Sequence, residues 1–296
     1  MISLSSSSPR SLLPSDAEWP VRFSHLEKRA PRFLFCRGTI PSLPGIAMVG
    51  TRLPSSYGLR ATDHLVRECK DVPVCIISGL AVGIDGRVHE AALANKIPTV
   101  AILGSSVLPN EIFPPQHAKL AERIIAEGGA VVSEYAPGTR IYRKNFPERN
   151  RLIAALCHAI VVIEAQERSG TMITSRMALE LGREVLAVPG SIFSPTSNGT
   201  HKLLASGARP CTSAHDIWQA LAFEAPTIMH TTRTHLHTNA QDASLLEALA
   251  CEPDGCSLEQ LEELLKQPAE TLVSRLGLLE LQGLATQTSS GAWVGL

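Results

Sequence analysis

The run Arg140-Ile141-Tyr142-Arg143-Lys144-Asn145-Phe146-Pro147-Glu148-Arg149-Asn150-Arg151 sets five cations against one acid, with aromatic rings between them. Cations at this density neutralise a phosphate backbone, and an aromatic ring among them offers a face on which an unpaired base stacks. Neither contact reads base sequence. The chemistry on offer is a grip on a single strand. Arg143, Lys144 and Arg149 suit phosphates, Phe146 suits a base, and Asn150-Arg151 chiefly start the next helix. A plain charge run is usually a solvated loop; the aromatics and the helix start set this one apart.

Other stretches carry related chemistry. Gly50-Thr51-Arg52 follows a short apolar run, and Ser55 or Ser56 is placed to cap the next helix. Gly50 permits a tight turn, and Arg52 then stands beside a helix N-terminus, a place for an anion. The spacing is not the G-x-G-x-x-G of a dinucleotide site. Ser169-Gly170-Thr171 opens a further helix, so its N–H groups and hydroxyls are an expected anion cradle. Lys202 adds a cation after Asn198-Gly199-Thr200-His201. In Ser78-Gly79-Leu80-Ala81-Val82-Gly83-Ile84-Asp85, the carboxylate would repel phosphate. Asp85 is therefore expected to cap the following helix or to orient an arginine.

These loops need a frame. Continuous apolar runs at Ile46–Val49, Val74–Ile77, Thr99–Leu103, Ala130–Val132, Ala159–Ile163 and Glu184–Val188 read as strands buried on both faces. Amphipathic segments lie between them, among them Tyr57–Lys70 and Arg151–Cys157. The alternation predicts an α/β fold, a Rossmann-like doubly wound and mostly parallel sheet, over residues 41–221. Ligands bind such sheets beyond the carboxyl ends of the strands, at the switch in strand order. With the common order 3-2-1-4-5-6, the first and fourth runs are neighbours, and Arg52 meets the 140–151 segment across one crevice.

Residues 1–40 are expected to be an irregular leader, packed on the core through Trp19, Phe23, Phe33, Leu34 and Phe35. A linker follows at 222–241, where His230, His235 and His237 lie among threonines. Residues 242–296 suggest a winged helix, with three helical segments and an extended tail. There, nine acids stand against Lys266 and Arg275, a poor composition for a reader of duplex DNA.

The chain of 296 residues is 44% hydrophobic, enough for a packed core. Its formal net charge of -1 gives no global sign of a nucleic-acid partner, so any such function rests on local clustering. The 7 cysteines form no C-x-x-C and no zinc spacing. They read as reduced core residues of a cytoplasmic protein, with no metal or cofactor expected. No stretch approaches the ~20 apolar residues of a membrane helix, and the Ser-rich start lacks a signal-peptide core.

Val49-Gly50-Thr51-Arg52 with Tyr57-Gly58, Ser78 through Asp85, Phe146 through Arg151, Ser169-Gly170-Thr171 and Val188-Pro189-Gly190 together resemble the motifs of the DprA family, also called Smf. The resemblance covers the whole chain. It implies single-stranded DNA binding, a homodimer and loading of the RecA recombinase, without catalysis. Carried to matching positions, it implies DNA contacts at Arg52, Arg143, Lys144, Phe146, Arg149 and Lys202. The alternative is a nucleotide phosphoribohydrolase of the lysine-decarboxylase-like Rossmann group. Those proteins carry a Glu after their Gly-Thr, where Ser175 and Arg176 stand here. A duplex-reading regulator acting through the C-terminal unit is a third reading.

Overall fold

Apolar runs in this chain alternate with amphipathic ones, so strands can be covered by helices on both faces, and the structure uses both. It is a computed structural model describing residues 8–221, 240–252, 255–281, 284–288 and 291–295. Two units are distinguished, Met1–Pro226 and Thr227–Leu296.

The first unit runs β1 (Arg10–Leu12), β2 (Leu34–Gly38), β3 (Gly45–Val49), α1 (Ser56–Glu68), β4 (Cys75–Ser78), α2 (Ile84–Ala94) and β5 (Thr99–Leu103). It continues through α3 (Ala118–Ala126), β6 (Ala130–Ser133), α4 (Asn145–Leu156), β7 (Ala159–Val162), α5 (Gly170–Glu180), β8 (Glu184–Ala187), α6 (Asn198–Ala205), β9 (Arg209–Pro210) and α7 (Ala214–Ala220). The sheet order is β1-β2-β6-β5-β4-β3-β7-β8-β9. From β6 to β9 all pairings are parallel, and β2 joins β6 antiparallel. The mostly parallel, Rossmann-like α/β sheet expected from the apolar runs is present.

The strand order differs from the expected one. β3 lies between β4 and β7, while β6 is separated from β3 by β5 and β4. The first and fourth runs are therefore not neighbours. Apolar content marks a strand as buried on both faces but says nothing of which strand lies beside it. Here the long segment after β6, together with α4, returns the chain across β5, β4 and β3 before β7 begins. The switch point is at β3 and β7.

The leader also differs. Residues 10–12 and 34–38 are strands, not irregular chain, and they extend the sheet beyond β6. The anchoring expected of it is real for Phe23 and Leu34, which are fully buried, and Trp19 meets Phe23 edge-on at 5.8 Å. One face of the sheet packs Val49, Ile77 and Ile102 against Leu152, Ile153 and Ala155 of α4. The other packs Ile46, Met48 and Ile76 against Leu65 and Val66 of α1 and Val88 of α2.

In the second unit, α8 (Ala240–Cys251), α9 (Leu258–Leu265) and α10 (Ala269–Leu281) precede an antiparallel ribbon of β10 (Ala285–Gln287) and β11 (Trp293–Gly295). Leu245, Leu249, Leu261, Leu272, Leu276 and Trp293 share its core. Ser257 caps α9 in a box with Gln260. The expected linker, with its three histidines, lies outside the described residues apart from its last two, which begin α8.

Candidate nucleic-acid interface

A cleft of about 320 Å³ opens beyond the carboxyl ends of β3 and β7. Gly50, Thr51 and Arg52 line it after β3, and Ser169, Gly170 and Thr171 after β7; Phe146, Arg149 and Asn150 come from α4. Three separate stretches named from the sequence thus meet at one place. They meet at the switch point that the structure has, not the one expected.

Ser55 caps α1 by accepting from the Gly58 N–H at 3.1 Å. Its hydroxyl donates to Glu164 at 2.6 Å, and its own N–H donates to the same carboxylate at 2.9 Å. Thr196 donates to Glu164 at 2.9 Å as well. Glu164 is only 2% exposed, so one buried carboxylate ties together the loops after β3, β7 and β8. A lone Glu at a strand end carries no spacing signal, so this role is not legible in the sequence.

Arg52 is exposed, and its guanidinium carbon lies 5.8 Å from the centre of the Phe146 ring. Phe113, from the loop after β5, meets the same ring at 5.5 Å. Phe146 rests on Gly104, where a Cβ would fall 2.8 Å from the ring edge. Asn145 fixes this end of α4 by donating from Nδ2 to the Gly104 carbonyl at 3.2 Å. Phe146 is thus half-buried, with an arginine on it and its surroundings held. Phe113 went unnoticed in the sequence because its nearness to Phe146 depends on the strand order.

The 140–151 segment divides. Arg140, Arg143 and Lys144 are exposed on the loop, and none makes an ion pair among the described residues. The helix starts at Asn145, not at Arg151 as expected, so Asn150 and Arg151 lie within its body. Arg151 forks onto Glu134 at 2.6 and 2.7 Å and donates to the Arg29 carbonyl at 3.0 Å. It anchors the leader and the β6 loop to α4.

Arg149 does not stand where a phosphate contact was expected. It is 4% exposed, and Nη1 donates to the Gly79 carbonyl at 2.7 Å and to the Ile102 carbonyl. It is part of the cleft floor and not a phosphate arm. Burial pulls its guanidinium down to about 10, opposed by Asp85. Burial also raises Asp85, with Arg149 as the chief opposing influence. Asp85 was expected to cap a helix or orient an arginine. It sits inside the first turn of α2 and turns back to accept from the Gly79 N–H at 3.1 Å, facing Arg149. Gly79 separates the two: a Cβ there would fall 2.6 Å from both Arg149 Nη2 and Asp85 Oδ2.

The cradle is narrower than expected. Ser169 caps α5, accepting from the Met172 N–H, and Thr171 donates to the Gly50 carbonyl at 3.0 Å. Both hydroxyls already have partners; the first-turn N–H groups lack intrahelical acceptors. Lys202 does not line the cleft. It pairs with Glu167 at 2.5 Å, both side chains 57% exposed.

A family profile described as DNA recombination-mediator protein A matches residues 10–222. The chain belongs to that family. It is 39% identical to DNA processing protein DprA of Streptococcus pneumoniae over 196 residues, 66% of this chain and 68% of the relative. It is 36% identical to Protein Smf of Escherichia coli over 286 residues, 95% of this chain and 76% of that one. The family resemblance read from the motifs is thereby shown. The solved structure of S. pneumoniae DprA superposes with a TM-score of 0.66 at 36% identity, covering 73% of this chain and 75% of that one. The Helicobacter pylori DprA structure, described for its single-stranded DNA binding mode, gives 0.63 at 27% identity, covering 73% and 96%. Among the described residues, no helix is long and apolar enough to cross a membrane.

Proposed function

We propose that this recombination-mediator family member binds single-stranded DNA at the β3–β7 cleft, protects it and loads the RecA recombinase onto it. It does so in the cytoplasm, as a homodimer, without catalysing a reaction. The observation that carries the reading is Arg52 lying over Phe146 at the cleft. That pair offers a phosphate charge and a stacking face side by side, with Arg143 and Lys144 free to follow the backbone. The single-stranded DNA binding described for the H. pylori relative supports it. Within the cleft lining the one carboxylate is Asp85, which is buried and faces Arg149. No second acid stands with it among the described lining residues, as acid–base chemistry on a nucleotide would ask.

The second unit reads as a winged helix that contacts protein and not duplex DNA. Arg275, the cation of its would-be recognition helix, is 9% exposed and pairs with Asp242 at 2.7 Å. A recognition helix needs free donors for phosphates and base edges.

The test is anisotropy of labelled oligonucleotides, single- and double-stranded, titrated with salt. Preference for the single strand is expected, with affinity falling steeply as salt rises. Phe146→Ala is expected to weaken it by about 1–3 kcal/mol. Equal affinity for duplex, or binding indifferent to both Arg52→Ala and Phe146→Ala, would refute the site. RecA filament growth on protein-coated single strands, with and without this protein, tests the loading step.

A further inference from the structure

Ile192 and Phe193 are 76% and 89% exposed, on the loop after β8. The Ser194 N–H donates to the Ser191 carbonyl at 3.1 Å, which puts this pair at the centre of a tight turn. Turn centres are ordinarily taken by Gly, Pro, Asn, Asp or Ser, for backbone reasons. Here two large apolar side chains stand out in water instead.

The turn is held firmly from below. The Phe193 N–H donates to Ser191 Oγ at 3.2 Å, and Ser194 and Thr196 share a hydroxyl bond of 2.8 Å. Thr196 reaches the buried Glu164, and its carbonyl accepts from the Ala165 N–H at 2.7 Å. Tyr57 of α1 donates to the Pro189 carbonyl at 2.6 Å. The loop is therefore fastened to the end of β7 and the start of α1, the two walls that continue into the cleft.

Its place along the sheet is informative. Phe146 stands at the end of β5, above Gly104, and Phe193 at the end of β8. With β4, β3 and β7 between, the ends of β5 and β8 from which these two loops leave are four strand spacings apart, about 19 Å along one edge. Arg52 and the α5 N-terminus belong to the strands between them, and Leu53, which also lines the cleft, is 81% exposed. Lys202 follows on α6, just after the turn.

We propose that Phe193 is a second base-stacking platform, so that a single strand leaving Phe146 runs across β3 and β7 and stacks a further base on the β8 turn. The inference rests on the single-stranded DNA reading and extends it. It assigns a nucleobase as the ligand of the exposed turn, and it makes binding depend on oligonucleotide length.

The experiment compares oligothymidylates of about two nucleotides, too short to span the ~19 Å, and about twelve on the full chain. Phe193→Ala is expected to leave the short oligonucleotide unchanged and to weaken the long one by roughly 5- to 150-fold, the loss of one stacked base. Phe193→Trp should restore the long-strand affinity, with its fluorescence quenched on binding. Phe193→Leu, which keeps apolar bulk without a π face, should behave like Phe193→Ala. Unchanged long-strand binding in Phe193→Ala overturns the inference. So does a shift in sedimentation without a change in length dependence, which would mean that the turn covers a second copy. If Arg52→Ala and Phe146→Ala leave the short oligonucleotide bound as before, the cleft reading itself falls; loss there with Phe193 silent refutes the second platform alone.

Discussion

Arg149→Met separates a buried support from a DNA contact. The wild-type guanidinium makes two hydrogen bonds to the carbonyls of Gly79 and Ile102, and each charge-assisted bond contributes about 1.5–3 kcal/mol. Its removal also leaves Asp85 inside the protein without the cation that opposes its desolvation. Breaking a buried pair from one side typically costs about 3–5 kcal/mol, and the bulk of Met offsets only the lost packing. The contributions overlap, so the expected loss is about 3–5 kcal/mol, or roughly 6–20 °C in Tm for a unit of this size. Urea and thermal unfolding measure it, with oligonucleotide affinity taken well below the transition. Asp85→Asn in the Arg149→Met background should recover part of the stability, because the stranded charge is gone. Wild-type stability combined with lost DNA affinity would refute the reasoning and return Arg149 to the phosphate contacts.

Arg52→Ala and Lys144→Ala should each lower the slope of log K against log salt by about 0.7, one phosphate neutralised on a single strand, in salt-titrated anisotropy. Glu167→Gln releases Lys202 from its 2.5 Å ion pair, and a few-fold tighter binding with a steeper salt slope is expected. An unchanged slope would put Lys202 off the strand. Burial holds His89 down to about 3 against an ordinary 6.5. Below pH 6.5 the unfolded chain takes up a proton that the folded chain refuses, so stability falls as pH drops through that window, by up to about 1.4 kcal/mol per pH unit. His158, held down to about 4 by burial and by Arg22 and Arg183, acts in the same direction. His89→Asn should therefore make the decline shallower without abolishing it, read from urea midpoints between neutral and mildly acid pH.

The sequence alone determined the class of fold and three of the stretches that meet at the site, those of Arg52, Phe146 and Ser169. Short continuous apolar runs that alternate with amphipathic segments read as strands buried on both faces, and they recur where β3 to β8 lie. A cap at Ser55 or Ser56 was legible because capping is a local event, set by a side chain and an N–H three residues on, and the structure uses Ser55. The basic, aromatic character of residues 140–151 was equally plain.

Strand order is a different kind of property. It depends on how a long connection returns across the sheet, and no local spacing records that path. The order placed the cleft at β3 and β7 and brought Phe113 beside Phe146. It also decided which cations stay outside. Arg143 and Arg149 are the same residue type in the same segment, yet one is exposed and the other lies under Gly79 and Ile102. Residue type fixes the charge a side chain carries. Only the packed structure fixes whether that charge meets a ligand or a buried carbonyl, because burial is set by neighbours that are distant in the chain.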